Sequence, residues 1–460
     1  MNTRRERDSL GEVDVPDAAW YGIHTMRSMH NFAAGGEPVP LAILYAMTSL
    51  KLACARANHT LGLLDNRKTA AITQACETIL SGHMDDQFPI DILQAGSGTS
   101  SNMNVNEVIA NLANVSMEGQ RGSRHPVHPN DDVNMGQSSN SIFPSAIRLA
   151  AVSLSVGTLE SVQLLVNSLR ERAAVFRDVI KSGRTHLQDA VPMTLGQEFS
   201  AWAQALKKDI ERIRRAVDAN LELVEGGNAI GTGINTRPEY RTLVAQELSA
   251  LTGFPFRIAP NGIEVTQFLT DQAELSGALR LTAQDIGKIC NDLRLLCSGP
   301  NTGFAEITLP PVEPGSSIMP GKINPSIVEA SNMAMLQILG HDHVVQLASA
   351  AGQLELNTHM PVLALNLVNA LRLMDRACVQ LATKCVAGIT ANIENCYRHF
   401  EISGGLATIL TPLLGYDRVD ALVKESLAFN KTAKQIVIEQ GILTAEEFDR
   451  LVRHSVGFNP

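Results

Sequence analysis

Residues 159–180 read LESVQLLVNSLRERAAVFRDVI, and the apolar positions Leu159, Val162, Val166, Leu169, Ala173, Phe176 and Ile180 recur in alternating steps of three and four. That spacing puts one continuous apolar stripe on an α-helix and is the seam of a helix in a bundle. A second seam reads Phe199, Trp202, Leu206, Ile210, Ile213, Val217, Leu221 and Val224, and the pair Gly226-Gly227 is expected to stop it. A third spans about 267–296, with Leu275, Leu279, Ile286, Leu293 and Leu296 on one side, and 326–351 and 361–385 also read as helices. Helices of roughly 25–35 residues are about 40–50 Å long, and such lengths are stable where packing buries the seam.

Composition agrees. Hydrophobic residues make up 45% of the 460 residues, enough for a large core, while aromatics are only 4%, which favours helices packed on helices over a β-sandwich. A net charge of −9 with no basic cluster argues against a nucleic-acid partner. The seven cysteines form no CxxC pair, which argues against a disulfide framework or a structural zinc site and for free thiols in a reducing, cytoplasmic setting. The first residues are charged and lack an apolar core of a signal peptide, and no apolar run is expected to reach the roughly 18 residues a membrane span needs, so no membrane partner is expected. The expectation is an all-α chain in three regions: an N-terminal α-rich domain over 1–135, a central long-helix bundle over 136–390 and a small C-terminal helical domain over 391–460.

Four polar stretches interrupt the helical pattern: 96–104 (GSGTSSNMN), 128–140 (HPNDDVNMGQSSN), 183–189 (GRTHLQD) and 315–325 (GSSIMPGKINP). Each alone could be a turn or a helix cap. Together they place uncharged hydrogen-bond donors beside long helices, and the last two add His186 and Lys322. Such a donor set suits a small dianion such as a dicarboxylate.

At these residues the chain resembles the aspartase/class II fumarase superfamily. GSSIMPGKINP is close to its signature, and GSGTSSNMNVNEV, HPNDDVN, GRTHLQDAVPMTLGQEF and GTGINTRPEY resemble family segments in the expected order. The resemblance implies a homotetramer with active sites built from three chains, anti β-elimination from a succinyl-type dicarboxylate to release fumarate, and neither metal nor organic cofactor. By matching position it implies Ser316 as the base that removes the Cβ proton, with Ser317 beside it among the substrate-binding residues. It assigns Lys322 and Asn324 to the doubly charged aci-carboxylate intermediate, helped by Thr185, and Thr99, Ser138, Ser139 and Asn140 to the clamp on the rest of the substrate. His186 matches the pocket histidine and Glu329 the carboxylate that pairs with it, while His128, Asn130 and Asp131 resemble a secondary anion site.

The leaving group stays open between ammonia and water. The segments 20–25, 288–300, 351–357 and 388–392 resemble aspartases, which makes L-aspartate the first expectation. Gly96-Ser97-Gly98-Thr99, HPNDDVN and Gln137-Ser138-Ser139-Asn140 resemble fumarases, which keeps L-malate as the alternative. Two departures add a third option. Ser141 stands where both groups normally carry Asp, and His341 where they normally carry Asn, so a pocket that accepts a substituted analogue is a further expectation.

Overall fold

The computed structural model describes residues 2–456. Strands β1 (Thr3–Asp8) and β2 (Gly11–Pro16) pair antiparallel and lead into α1 (Ile23–Asn31), α2 (Leu41–Thr60), α3 (Asn66–Leu80) and α4 (Thr99–Ser116). Next come α5 (Ser139–Val175), the antiparallel hairpin β3 (Ile180–Thr185) and β4 (Gln188–Thr194), α6 (Leu195–Ala219), α7 (Tyr240–Thr252), α8 (Gly262–Gln267) and α9 (Thr270–Leu296). After α10 (Ser326–Ser349), α11 (Met360–Lys384) and α12 (Ile393–Ile402), further helices run to Val456. The chain is mostly helical, as its seams require.

The chain divides into two compact units. One comprises Met1–Leu159, Glu211–Leu281 and Gln337–Leu373; the other comprises Glu160–Ile210, Thr282–Leu336 and Met374–Pro460. These units do not follow chain order as the three expected regions do, because α5, α6, α9, α10 and α11 each contribute to both.

In the first unit the long helices are joined by buried polar contacts as well as apolar ones. The Arg148 guanidinium, 1% exposed, donates to Asp271 Oδ2 at 2.7 Å and to the Ala219 carbonyl at 3.0 Å, tying α5 to α6 and α9. Asp342 on α10 accepts from Ser276 at 2.7 Å and pairs with Arg280 at 3.0 Å, both on α9. Ile147, Val152, Leu275, Leu279, Leu367 and Leu371 are buried around these contacts.

In the second unit Phe199 stacks between Phe176 and Trp202, with ring centroids 5.2 and 4.6 Å away. The predicted seam residues Val162, Val166, Leu169, Leu206 and Ile210 are buried as well. A separate C-terminal core gathers Phe400, Leu406, Leu410, Leu422, Ile436 and Phe448.

Two helix ends and one hydropathy reading differ from expectation. α6 stops at Ala219, not at the glycine pair. The Asn220 side chain donates to the Ala216 carbonyl at 3.0 Å and to the Asp271 carbonyl at 3.1 Å, and Leu223 then pairs with Ile258 in a two-residue parallel strand contact. α9 starts three residues late because extended Phe268 closes α8 by donating to the Glu264 carbonyl. α5 does contain an 18-residue window of mean hydropathy 1.6, long and apolar enough by composition to cross a membrane, which corrects the expectation that no such run exists. Just over half of that window is buried inside the protein, as in the core helix of a bundle.

The β3–β4 hairpin was not foreseen. Its two-residue turn, His186 and Leu187, has φ of +57° and +60°, the left-handed pair of a type I′ turn, here without glycine or asparagine. Two such residues cost about 1–3 kcal/mol each, so something must hold them. Along the first strand of the hairpin, fully buried Glu306 accepts from Arg184, close to the turn, at 2.6 Å and pairs with Lys181, close to the base, at 3.1 Å, and it also accepts from His399 Nδ1 at 2.9 Å. Lys181 also donates to Glu198 at 2.6 Å, and the Arg184 guanidinium lies 4.3 Å from the Phe304 ring centre. Burial pushes the Glu306 carboxyl up, but the Arg184 hydrogen bond and the Lys181 charge outweigh it and hold the group below its ordinary range.

Two stability predictions follow from these packings. Phe199→Ala should cost about 3–5 kcal/mol, read from the urea midpoint, because both ring contacts become cavity. Glu306→Gln should cost about 3–5 kcal/mol at neutral pH, because Lys181 and Arg184 lose their buried partner. The Glu306 stabilisation is present above the ordinary carboxyl range and lost as pH falls through its lowered value, so the gap to wild type should close in acid. A gap that stays constant down to acid pH would contradict that assignment.

Candidate active site

The signature loop lies in the second unit, immediately before α10. Gly315 N–H donates to the Lys322 carbonyl at 2.9 Å, Asn324 Nδ2 donates to the Gly315 carbonyl at 2.6 Å, and Lys322 N–H reaches the Met319 carbonyl at 3.3 Å. The two ends approach so closely that a Cβ at position 315 would run into the Lys322 carbonyl, which is why the loop needs glycine there. Inside this closed loop Ser316 Oγ accepts from the N–H of Met319 at 2.9 Å and of Ile318 at 3.2 Å.

Those two bonds matter chemically. A serine hydroxyl is a weak acid, and its oxygen can act as a base only where fixed donors stabilise the alkoxide. The donors at Ser316 are backbone N–H groups two and three residues downstream. Ser316 is half-buried, whereas Ser317, Lys322 and the loop tip are exposed, with Ile318 at 86%. Lys322, Asn324 and Glu329 also line a cavity of about 860 Å³ in this unit, together with Arg294 and Cys297.

Thr185 and His186 lie in the same unit, both exposed at the tip of the β3–β4 hairpin. Glu329 sits in the first turn of α10. Among the described residues no hydrogen bond or ion pair joins His186 to Glu329, so the expected pairing is not made within one chain.

The clamp residues lie in the first unit. Thr99 opens α4 after left-handed Gly98, where a Cβ would collide with the Phe143 ring. Thr99 Oγ1 is 2.9 Å from Ser139 Oγ, so the two hydroxyls from different helix starts share a hydrogen bond. Ser138 caps α5, its Oγ accepting from Asn140 N–H at 3.2 Å, and Asn140 Nδ2 donates to the Ala229 carbonyl at 2.8 Å. All four clamp residues are half-buried, and they present hydroxyl and amide groups with no charge of their own.

Ser141 and His341 each hold a polar contact inside the first unit. Ser141 is fully buried and donates to Glu225 Oε2 at 2.7 Å. His341 Nδ1 is 2.6 Å from Asn366 Oδ1, a contact between α10 and α11. The Asp-to-Ser departure therefore changes the support behind the clamp. At His128 the ring Nδ1 accepts from the N–H groups of Asn130 and Asp131 at 3.2 and 3.1 Å, which places the ring proton on Nε2. Among the described residues no group of three or more His, Cys, Asp or Glu side chains is placed to hold a metal ion.

Sequence reasoning missed Glu306, Lys181 and Glu225, buried charges that support the site without lining it. Their signal in the sequence was weak, because each partner lies far away along the chain.

Comparison with known proteins agrees with this geometry. The family described as Lyase matches residues 11–340, and the one described as Fumarase C C-terminus matches 406–455. The chain is 44% identical over 453 residues to the class II fumarate hydratase of Thermosynechococcus vestitus, covering 98% of this chain and 97% of that protein. It is equally 44% identical over 445 residues to the aspartate ammonia-lyase of Pseudomonas aeruginosa, covering 96% and 94%. The crystal structure of a class II fumarase from Schistosoma mansoni matches with a TM-score of 0.95 at 37% identity, covering all of both chains. With the family models, relatives of both kinds over nearly the whole chain and the helical fold in agreement, this chain belongs to the aspartase/class II fumarase superfamily of lyases.

Proposed function

We propose that this lyase releases fumarate from a C4 dicarboxylate by anti β-elimination, with Ser316 as the base. The observation that carries this reading is the pair of backbone N–H donors on Ser316 Oγ, inside a loop that also holds Lys322 and Asn324. The alkoxide takes the proton next to a carboxylate, and the charge that develops there is met by the Lys322 ammonium and the Asn324 amide. Thr99, Ser138, Ser139 and Asn140 grip the other half of the substrate. His186, paired with Glu329, is the cation beside the departing group.

Because His186 and Glu329 make no contact within one chain, we place their pairing between chains of a homotetramer. Exposed Met333, Leu336 and Leu347 on α10 give that assembly an apolar contact surface. His128, Asn130 and Asp131 form the secondary anion site in this reading, with the Nε2–H of His128 free to donate.

L-aspartate, releasing ammonia, is the first substrate reading, supported by the aspartase-like segments over much of the chain. L-malate, releasing water, is the second, supported by Ser97 beside Thr99 and by Ser139, whose lack of a methyl leaves it the fumarase-like residue. One methyl in such a pocket decides about 1–3 kcal/mol.

The two are separated by following fumarate through its ultraviolet absorbance with each substrate offered alone. Fumarate from L-aspartate with ammonia released is the expected result; fumarate from L-malate alone would make the chain a hydratase, and silence on both would turn the reading to a substituted analogue of either. Lys322→Met should lower kcat by about 10²-fold or more with either substrate, because its charge serves the intermediate; an unchanged kcat would remove Lys322 from the mechanism.

A further inference from the structure

Behind the clamp, in the first unit, lies a cluster of buried groups that the proposed reaction does not use. Glu225 is 1% exposed, and Lys51, Cys54 and Ser141 are fully buried around it. Glu225 Oε2 accepts from Ser141 Oγ at 2.7 Å, and Oε1 accepts from Tyr240 OH at 3.4 Å and lies 3.9 Å from Cys54 Sγ. The Lys51 ammonium donates to Asn134 Oδ1 at 2.7 Å, and the same oxygen accepts from Asn102 and Asn106 at 3.2 Å each. Lys51 acts on Glu225 through space as its nearby opposite charge, while burial pushes the carboxyl up and the ammonium down to about 8.

The segment that carries Glu225 is sewn to the first turns of α5 at three points. Ser141 donates to the Glu225 carboxylate, Glu225 N–H donates to Ser145 Oγ at 2.9 Å, and Asn140 Nδ2 donates to the Ala229 carbonyl at 2.8 Å. Ser139 and Asn140 of the clamp sit two residues and one residue before Ser141. A carboxylate near this helix start also opposes the positive end of the α5 dipole. Position 141 and the Glu225 carboxylate are in direct contact, so a second carboxylate at 141 would put two like charges into one buried site.

We propose that Glu225 is a positioning residue for the substrate clamp: its buried carboxylate fixes the first turn of α5 through Ser141, and it supplies the one counter-charge to Lys51 that positions 141 and 225 can hold between them. This rests on the reading of Ser139 and Asn140 as substrate-binding. It predicts that the carboxylate is exchangeable between the two positions but can be neither doubled nor removed.

The test is a double-mutant cycle with Glu225→Gln, Ser141→Asp and both together, plus Ser141→Ala, read as KM and kcat for fumarate with and without ammonium and as Tm. Glu225→Gln should raise KM for fumarate roughly tenfold with kcat changed less than about threefold, and Ser141→Ala should move KM the same way by less. Ser141→Asp alone should lower Tm, and the double variant should return Tm toward the wild-type value and KM to within about threefold of wild type. A Glu225→Gln protein whose Tm falls while KM stays would overturn positioning, and a double variant that folds but is no better than the worse single would overturn the exchange. If the Asp variants do not fold, Glu225→Gln and Ser141→Ala still decide the positioning claim. Wild-type protein that leaves fumarate untouched with and without ammonium rejects the lyase reading itself, whereas active wild type with a kinetically silent Glu225→Gln rejects this inference alone.

Discussion

The contact on which the proposed chemistry depends is the pair of backbone N–H groups held against Ser316 Oγ. Backbone donors cannot rotate away, so their aim is set when the loop folds, and no reorganisation is needed when charge develops on the oxygen. The loop holds that aim because Gly315 lets its two ends touch and Asn324 closes them with a side-chain bond. Lys322 and Asn324 stand on the closing arm of the same loop, so the proposed base and the groups proposed to meet the intermediate share one scaffold. Long helices supply the rigid platform from which this loop departs.

The remaining site groups are supported by buried charge rather than by apolar packing alone. Glu306 binds His399 together with Arg184 and Lys181 along the first strand of a hairpin whose turn is unfavourable for the residues it contains. Glu225, with Lys51 nearby, holds the start of α5. In both cases a buried carboxylate collects donors from elements far apart in the chain. Such networks are costly to break and specify one arrangement when fully satisfied, which suits groups that must meet a substrate within about half an ångström.

The long helices were legible because an apolar seam repeats over many turns, and Val162, Val166, Phe199 and Leu206 are buried as the spacing requires. Helix ends were less legible, since Asn220 ends α6 by taking carbonyls from two different helices, a contact that no local pattern announces. The β3–β4 hairpin was hidden for a similar reason: Thr185-His186-Leu187-Gln188 carries none of the glycine or asparagine that normally marks a type I′ turn. Site residues in the signature loop and the clamp were legible through their motif. Ser141 was visible as a departure, but its hydrogen bond to a residue 84 positions away was not.

The central claim is that Ser316 takes the proton, and its most direct test is the Ser316→Ala protein assayed beside Ser317→Ala as a neighbour control. The account predicts that Ser316→Ala loses about 10²–10⁴-fold in kcat with KM for fumarate little changed and Tm near wild type, while Ser317→Ala keeps far more of its turnover. A Ser316→Ala enzyme that keeps kcat within about threefold of wild type would contradict it.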